Sequence, residues 1–398
     1  MQRRLASFEG LYDCIVVGLG GMGSSALANL SNRSSCQVLG IEKYGSVHTN
    51  GSSHGRSRVF RRAYFEHPSY VPLMQRSIEM WRDLQARNTD KEIINFTGGL
   101  MLGNPESQVI QGVMRSIEEH NLPHELLDAD QIRTRFSGLF VVDDDDIGVF
   151  EEEAGYLIPE NCIHAYLKEA GNNGADMRFD EEMISYKVDP SAEIITVHTS
   201  KGSVYRTKRL ILSVGPWAPD VFGHDVPHLQ LHVERRILYW FEPVEESNHL
   251  FDNLPIYIYQ KGEDNFYGFP RIGRNEGVKV AQHSAAGQPS CKPESVDRSV
   301  STKEIHEMKT LLDAHIPALN GKLMSTTTCM YTMTSDQHFL IDKHPEHDNV
   351  VLISPCSGHG FKFCSVIGEI AAELAMTGKY DELDISIFRY SSVGRNGN

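Results

Sequence analysis

The amino-acid sequence predicts a mixed α/β fold, in which a doubly wound domain is interrupted by an inserted domain built mainly on an antiparallel β-sheet. Three observations predict this fold. The first is a strand–glycine turn–helix–strand unit over residues 12–42, and the second is a strand-rich stretch over residues 228–284. The third is the buried strand, glycine turn and helix in the last quarter of the chain. The 398 residues are about twice an ordinary domain, so we expect two domains.

The composition is typical of a globular protein with an acidic surface. Hydrophobic residues make up 40% and charged residues 23% of the chain, and the formal net charge is −15. This charge argues against nucleic acid or an anionic membrane surface as a partner, and no apolar stretch is long enough to span a bilayer. The seven cysteines are scattered, and the start of the chain lacks the apolar core of a secretory signal. We therefore expect a cytoplasmic protein.

The first unit begins with an apolar strand, residues 14–17, that runs into the pattern G-x-G-x-x-G formed by Gly18, Gly20 and Gly23. A helix of small residues follows, so a pyrophosphate could approach backbone N–H groups at the helix N-terminus. Glu42 ends the next strand, 19 positions beyond Gly23. An acid at this place can accept both ribose hydroxyls and would repel a 2′-phosphate. We predict a bound dinucleotide without that phosphate, and this unit leaves NAD and FAD both open.

The later elements follow from the spacing of apolar residues and breakers. Helices are predicted at 69–87, at 106–121, from Pro159 onward, and after the glycine turn at 357. Strands are predicted in MISYKVD, EIITVHT, GSVYRTK, RLILSVG, LQLHVERRILYWFEP, IYIYQ, NFYGFP, VKVAQH and NVVLISP. Four consecutive aspartates, 143–146, favour a solvated turn over a metal site. The predicted nucleotide-binding domain comprises residues 1–88, 150–222 and 323–398, and the substrate domain comprises 89–149 and 223–322.

The segment 48–66 directly follows the second strand and is polar and rich in arginine. Its four arginines are Arg56, Arg58, Arg61 and Arg62. A solvated basic loop would account for them. Yet four arginines beside a ribose-binding acid, in an acidic protein, indicate anion binding, because the guanidinium suits bidentate recognition of carboxylates.

Three motifs occur in one order along the chain: GSSHGRSR (51–58), STTTCMYTMTSDQHFLID (325–342) and SGHGFKF (357–363). With them the chain, from about residue 12 to about residue 390, resembles the monomeric sarcosine oxidase family, which includes N-methyltryptophan oxidase and pipecolate oxidase. The resemblance implies a Rossmann-type FAD-binding domain and an amine oxidase whose FAD is covalently bound. Cys329 aligns with the cysteine that carries the flavin through a thioether. The further cofactor contacts that the resemblance implies are Gly18, Gly20, Met22, Gly23, Glu42, Lys43, Ser53, His54, Arg58, Met183, Gly358, His359, Gly360 and Lys362.

The resemblance also implies an active site. Arg61 and Lys362 match the residues that hold the substrate carboxylate, and Lys279 matches the lysine that activates O2. By itself VKV is an ordinary strand with an outward lysine, but a fixed cation in a dry pocket would stabilise the superoxide that forms there. The remaining implied active-site residues are Tyr267, His283 and Tyr331.

The chain departs from the better-known bacterial members of this family at several positions. Arg56 stands where they have an acid and Arg62 where they have a histidine, and Pro355 and Cys356 replace the two residues before SGHGFKF. One extra residue separates NFYGFP from Lys279. Since these changes alter the size and charge of the pocket, the substrate cannot be carried over from the family.

The resemblance implies oxidation of a secondary amino acid, either N-methylated or cyclic. A hydride equivalent would pass to flavin N5, the imine would hydrolyse, and O2 would be reduced to H2O2. The implied partners are the small amino acid and O2, and the protein is expected to be a monomer without a metal. A flavin dehydrogenase, or a biosynthetic imine-forming oxidase of an unusual amine, is an alternative within enzymes. A non-catalytic dinucleotide-binding sensor is an alternative of another class, although it would have no reason to keep Arg61, Lys279, Cys329 and Lys362 together.

Overall fold

The computed structural model describes residues 10–273, 275–284, 290–354 and 357–391. The chain forms two compact units: unit one comprises residues 1–53, 162–231 and 334–398, and unit two comprises residues 54–161 and 232–333. No helix in the described part of the chain is both long and apolar enough to cross a membrane.

The helices are α1 (Gly21–Ser31), α2 (Tyr70–Arg87), α3 (Gln108–His120), α4 (Ala129–Arg135), α5 (Pro159–Asn172), α6 (Ala218–Val221), α7 (Thr302–His315) and α8 (Cys364–Thr377). The strands are β1 (Leu11–Tyr12), β2 (Cys14–Val17), β3 (Val38–Ile41), β4 (Arg58–Phe60), β5 (Ile94–Phe96), β6 (Gly99–Gly103), β7 (Glu125–Leu127), β8 (Ile147–Glu151), β9 (Gly155–Leu157), β10 (Asp176–Arg178), β11 (Met183–Asp189), β12 (Ile194–Thr199), β13 (Val204–Thr207), β14 (Leu210–Leu212), β15 (His232–Phe241), β16 (Ile256–Lys261), β17 (Asp264–Gly268), β18 (Val278–Ser284), β19 (Leu323–Met333), β20 (Leu340–Lys343) and β21 (Val350–Ser354).

Unit one is built on a six-stranded sheet in the order β10-β3-β2-β14-β21-β20, in which only β20 runs antiparallel to its neighbour. Its central strands are buried along their whole length, as expected of a parallel sheet. Helices α1 and α8 approach closely because small residues line the contact. A Cβ added to Gly21 would lie 2.5 Å from Cys364 Sγ, and one added to Gly368 would lie 2.1 Å from Ser25 Oγ. A second sheet, β1-β13-β12-β11, completes this unit.

Unit two contains an eight-stranded sheet in the order β19-β15-β18-β17-β16-β6-β8-β7. All its strand pairs are antiparallel except β16 with β6. One face carries the core of the unit, to which Tyr239 and Phe241 of β15 contribute, and Ile237 packs against this core. The residues between them, Leu238 and Trp240, therefore lie on the opposite face. A small sheet, β4-β9-β5, accompanies the large one.

The mixed α/β fold predicted from the sequence is confirmed, and so is the mainly antiparallel character of the inserted part. The predicted helix at 69–87 is α2, and the helix predicted from Pro159 is α5. The helix expected directly after the glycine turn at 357 begins later, at Cys364, because a single 3-10 turn over Phe361–Phe363 precedes it.

Two further predictions need comment. The packing places residues 54–88 in unit two, whereas the sequence assigns them to the nucleotide-binding domain; strand β4 pairs with β9, which draws this segment into that unit. The turn 143–146 is exposed as predicted except at Asp146, which is buried and lies 3.4 Å from Lys261 Nζ. The prediction about the start of the chain and the departures at Pro355 and Cys356 lie outside the described residues.

Candidate active site

The glycine turn of unit one leaves room for a ligand at one glycine and excludes side chains at the other two. Gly18 has φ +86°, and a Cβ there would lie 2.3 Å from the carbonyl oxygen of Ser213. A Cβ on Gly23 would lie 1.7 Å from the carbonyl oxygen of Gly18. At Gly20 an added Cβ would meet, among the described residues, only the side chain of Ser53, at 3.5 Å. This open space in front of the N-terminus of α1 is where a pyrophosphate would lie, so these residues fit the dinucleotide that the pattern predicts.

Glu42 is fixed beside this turn by backbone donors. The N–H of Leu19 donates to Glu42 Oε2 at 2.7 Å, and the N–H of Tyr44 donates to Oε1 at 3.1 Å. The carboxylate is therefore tied to the glycine turn, which suits an acid that accepts ribose hydroxyls. Its neighbour Lys43 forms an ion pair with Glu182 at 2.8 Å.

Three predicted cofactor contacts of unit one surround this strand–turn–helix unit. Met22 lies in the first turn of α1, and Ser53 accepts a hydrogen bond from the N–H of Gly21 at 3.2 Å. Met183 begins β11 and packs against the core of the unit. These positions are compatible with cofactor binding.

The loop before α8 is tightly folded. Ser357 and Gly358 both have positive φ, +44° and +81°, and Gly360 directly precedes the 3-10 turn. His359 is buried, and its ring stacks on Phe339 with 4.7 Å between the ring centroids. Lys362 is buried as well, and its Nζ donates to the carbonyl oxygen of His359 at 2.9 Å. The ammonium group is thus held over this loop.

In unit two, one face of the large sheet collects the residues that the sequence singles out. Directly paired residues share a face, and the pairs across β15 are Arg236 with Cys329 and Trp240 with Lys279. Since side chains alternate along a strand, Tyr331 shares the face of Cys329. On the neighbouring strands Tyr267 pairs with Ala281. Ala281, Cys329, Leu238 and Trp240 form one apolar cluster against which Tyr267 packs.

Cys329 is only 2% exposed and contacts the arginine-rich segment. Arg58 Nη2 donates to Cys329 Sγ at 3.6 Å, while Nη1 donates to the carbonyl oxygen of Ser57 at 2.8 Å. The sulfur of Cys329 is thus held by a cationic side chain of this segment. His54, which lies before Arg58 in the same segment, is also buried.

VKV is part of a strand, as expected, but its lysine, Lys279, is buried and does not face solvent. Its Nζ donates to the carbonyl oxygens of Gly55 and Ser57, both at 2.7 Å. Burial, together with the nearby charge of Arg58, lowers the pKa of Lys279 well below its usual range. The chain bends around this ammonium because Glu160 accepts the N–H groups of Gly55 and Arg56 at 2.8 and 3.1 Å.

Arg61 is almost completely buried and held in one orientation. Its Nη2 pairs with Glu66 at 2.8 Å, and its guanidinium lies over the ring of Phe65 at 4.5 Å. The backbone around it is fixed by Glu151, whose two carboxylate oxygens accept the N–H groups of Arg62 and Ala63 at 2.6 and 2.9 Å. Within the described residues, Nε of Arg61 has no hydrogen-bond acceptor. A buried donor without an acceptor marks a place where a ligand oxygen would be accommodated.

Tyr267, Tyr331 and His283 form an aromatic group near Cys329. The two tyrosine hydroxyls hydrogen-bond to each other, and the ring of His283 lies 6.1 Å from that of Tyr331. Burial raises the pKa of Tyr331 well above its usual range, and it raises that of Tyr267 too. Both phenols therefore stay protonated at neutral pH and act as hydrogen-bonding groups, not as bases.

Unit two thus brings together Arg58, Tyr267, Lys279, His283, Cys329 and Tyr331. Sequence reasoning missed Glu160, Glu66 and Arg236. Glu160 and Glu66 carried no signal, because isolated acids at a helix start and in a loop are common. Arg236 did give a signal in the sequence. Because side chains alternate along a strand, it must share a face of its strand with the apolar Leu238 and Trp240. A charged residue on an otherwise buried face is informative.

Known proteins share both the sequence pattern and the fold. The model of the FAD-dependent oxidoreductase family matches residues 13–374. A monomeric sarcosine oxidase of Streptomyces avermitilis is 42% identical over 372 residues, which cover 92% of this chain and 94% of that protein. An N-methyl-L-tryptophan oxidase of Escherichia coli is 32% identical over 381 residues, 96% of this chain and 99% of that protein. Among solved structures, NikD, described as an unusual amino acid oxidase, has a TM-score of 0.80 at 22% identity and covers 95% of this chain and 97% of its own.

Proposed function

Because the chain belongs to the FAD-dependent oxidoreductase family, alongside monomeric sarcosine oxidase and N-methyl-L-tryptophan oxidase, we propose that it oxidises secondary amino acids and reduces O2 to H2O2. One observation supports this proposal most directly: Cys329, Lys279, Tyr267 and Tyr331 lie on one face of one sheet, and Arg58 donates to the cysteine there. The proposal includes a monomer acting in the cytoplasm.

Within unit one, Gly20, Ser53 and Glu42 would take the pyrophosphate and the adenosine ribose of FAD. In unit two, Cys329 is the proposed thioether anchor, and Arg58 would hold its sulfur in position through a hydrogen bond. When bound, FAD supplies an acceptor for the two electrons and the hydrogen that leave the substrate.

Arg61, within unit two, is proposed to hold the substrate carboxylate, the role that the resemblance also gives to Lys362. Arg61 is rigid because Glu66 and Phe65 fix its guanidinium, so little freedom would be lost on binding. Lys362 is fixed by the carbonyl oxygen of His359. Correct placement of a reacting pair contributes several kcal/mol to catalysis, about 7–11 kcal/mol in well-oriented systems, so such a clamp would raise turnover as well as affinity.

The substrate amine must lose its ammonium proton before it can be oxidised, since only the lone pair supports the iminium that forms. Lys279 is buried and Arg58 lies partly buried close to it, and like charge lowers the pKa of an amine brought near them. The protonated hydroxyls of Tyr267 and Tyr331 would orient the neutral amine. The imine then hydrolyses in water.

Lys279 is proposed to act in the oxidative half of the reaction. Its ammonium would stabilise the negative charge that O2 acquires with its first electron, in a site where little water screens that charge. The two carbonyl acceptors, those of Gly55 and Ser57, hold the cation in place.

Purified protein tests the proposal. Sarcosine, N-methylated aromatic amino acids, proline and pipecolate are added in air with detection of H2O2, and anaerobically with detection of the visible flavin band. We expect at least one of them to bleach the flavin anaerobically and to yield one H2O2 per amine in air. Bleaching without H2O2 would identify a dehydrogenase, and no bleaching by any secondary amine would contradict the proposal.

A further inference from the structure

Arg236 lies on the face of the large sheet that carries Cys329, and no step described above uses it. The residue pairs directly with Cys329 across β15 and β19, and it is 8% exposed. Its Nη2 contacts a carboxylate oxygen of Glu234, two positions along the same strand. Arg236 is therefore a buried cation on the sheet face that carries the candidate site residues.

Among the described residues, Arg236 finds acceptors for only part of its N–H groups. Within the described part of the chain, Nε and Nη1 of Arg236 are buried and have no hydrogen-bond acceptor. These atoms carry one and two N–H groups, respectively. Burying charged donors without acceptors is costly, so such a group usually marks a place that a ligand oxygen occupies.

Arg236 and Arg61 stand at the two ends of a row of aromatic rings. The guanidinium of Arg61 lies 4.5 Å from the ring of Phe65, which is 6.1 Å from that of His283. The ring of His283 is 6.1 Å from that of Tyr331, and the guanidinium of Arg236 lies 5.2 Å from the same tyrosine ring. Both arginines are buried, and within the described residues one nitrogen of Arg61 and two of Arg236 have no acceptor. A row of aromatic rings with arginine N–H donors at each end matches a molecule that carries a carboxylate at each end.

We propose that Arg236 binds a second carboxylate of the substrate, so that the preferred substrate class is dicarboxylic secondary amino acids. This inference rests on the proposed function, with the α-carboxylate at Arg61. The second carboxylate would accept hydrogen bonds from Nε and Nη1, while Glu234 keeps Nη2 and fixes the plane of the guanidinium. A substrate with one carboxylate leaves these donors without acceptors, and a site built to bond a group discriminates against analogues that lack it.

The test compares acids with their neutral isosteres. N-methyl-L-glutamate is set against N-methyl-L-glutamine, and the longer secondary amine N-(4-carboxybutyl)glycine against its terminal amide, so that charge changes while size does not. Two chain lengths are used because the reach to Arg236 depends on the chain between the carboxylates. With the holoenzyme, we expect kcat/KM for the acid to exceed that for the amide by about 10- to 100-fold for at least one of the two chain lengths. This is the effect that one hydrogen bond to a charged group usually has.

Arg236→Gln should bring this acid-to-amide ratio down to near one, and Arg236→Lys should retain part of it. Arg235→Gln is the matched control, because Arg235 is the next residue on the strand, points to the other face and binds Glu304 at 2.5 Å. This control should keep the ratio. The readout is a ratio within each variant, so a change in the amount of folded protein does not affect it.

Three outcomes would overturn the inference. The first is a wild-type enzyme that oxidises sarcosine yet shows no acid preference at either length, and the second is an Arg236→Gln variant that keeps the preference. An equal loss with acid and amide would instead assign Arg236 to the cofactor or to the fold. If no secondary amine bleached the flavin, the proposed function would fail together with this inference, and that result is distinguishable from the other three.

Discussion

Arg58 donates a hydrogen bond from Nη2 to the sulfur of Cys329, although 271 positions of sequence separate the two residues. The arginine belongs to the segment that follows the second strand, and the cysteine belongs to the edge strand of the eight-stranded sheet. Their contact links the two motifs on which the interpretation as a flavin enzyme depends. It also places a cation at the one sulfur that is proposed to carry the cofactor.

Cys329→Ser should abolish covalent attachment of the flavin, because the hydroxyl of serine is a far weaker nucleophile than a thiolate. After acid precipitation we expect a yellow pellet from the wild type and a colourless pellet with a yellow supernatant from the variant. Cys291→Ser is the control, since Cys291 is a free, partly exposed cysteine of the same unit. A yellow Cys329→Ser pellet would refute the assignment of the anchor.

Lys279→Met should slow reoxidation by O2 about 100- to 1000-fold and change reduction by substrate much less, because the cation is needed only where negative charge develops on oxygen. Stopped-flow absorbance of the visible flavin band measures both half-reactions separately. Equal slowing of the two would show that Lys279 supports the site in general and has no particular role toward O2.

The same lysine should make reoxidation depend on pH. Burial lowers the pKa of Lys279, so its ammonium loses its proton at a lower pH than an exposed lysine does. The bimolecular rate constant with O2 should therefore be high at low pH and fall as pH rises, with a midpoint below the usual lysine range. Lys279→Arg should flatten this profile, because the guanidinium stays charged. An unchanged midpoint in that variant would assign the titration to another group.

Arg61→Gln should lower kcat/KM about 10- to 100-fold, since a charged hydrogen bond to the substrate carboxylate contributes roughly 1.5–3 kcal/mol. The loss should appear with every amino acid tested and be smaller with amines that lack the carboxylate. Arg56→Gln provides the control in the same segment, because its side chain is half exposed and pairs with Glu276. Equal losses for amino acids and simple amines would argue against the clamp.

Gly20→Ala and Gly23→Ala should fail in different ways. At Gly23 a Cβ would collide with the carbonyl oxygen of Gly18, so this variant should lose thermal stability or fail to fold. At Gly20 the protein has room for a Cβ, which would instead occupy the space for the pyrophosphate. In a Cys329→Ser background, Gly20→Ala should fold normally and retain less FAD, as thermal unfolding and bound flavin absorbance would show. Normal FAD retention would move the pyrophosphate away from Gly20.

The local elements were predictable because their causes are local. The buried strand, the turn at Gly18 and the helix of small residues follow from steric limits within about thirty positions, as does the place of Glu42. Apolar spacing likewise predicted α2, and its helix begins within one residue of the expected position. The family motifs identified Cys329, Lys279 and Arg61 as candidate site residues, but they did not show where these side chains lie.

Other features depended on how distant segments pair. The sequence by itself determined the fold class, the glycine turn and the candidate residues, because these depend on neighbours along the chain. Only the tertiary structure decided that Lys279 is buried against the carbonyl oxygens of Gly55 and Ser57, and that Arg236 lies opposite Cys329. Strand register sets these contacts, and a shift of one residue would turn each side chain to the other face. Register results from the packing of the whole sheet, so no single segment of the sequence contains it.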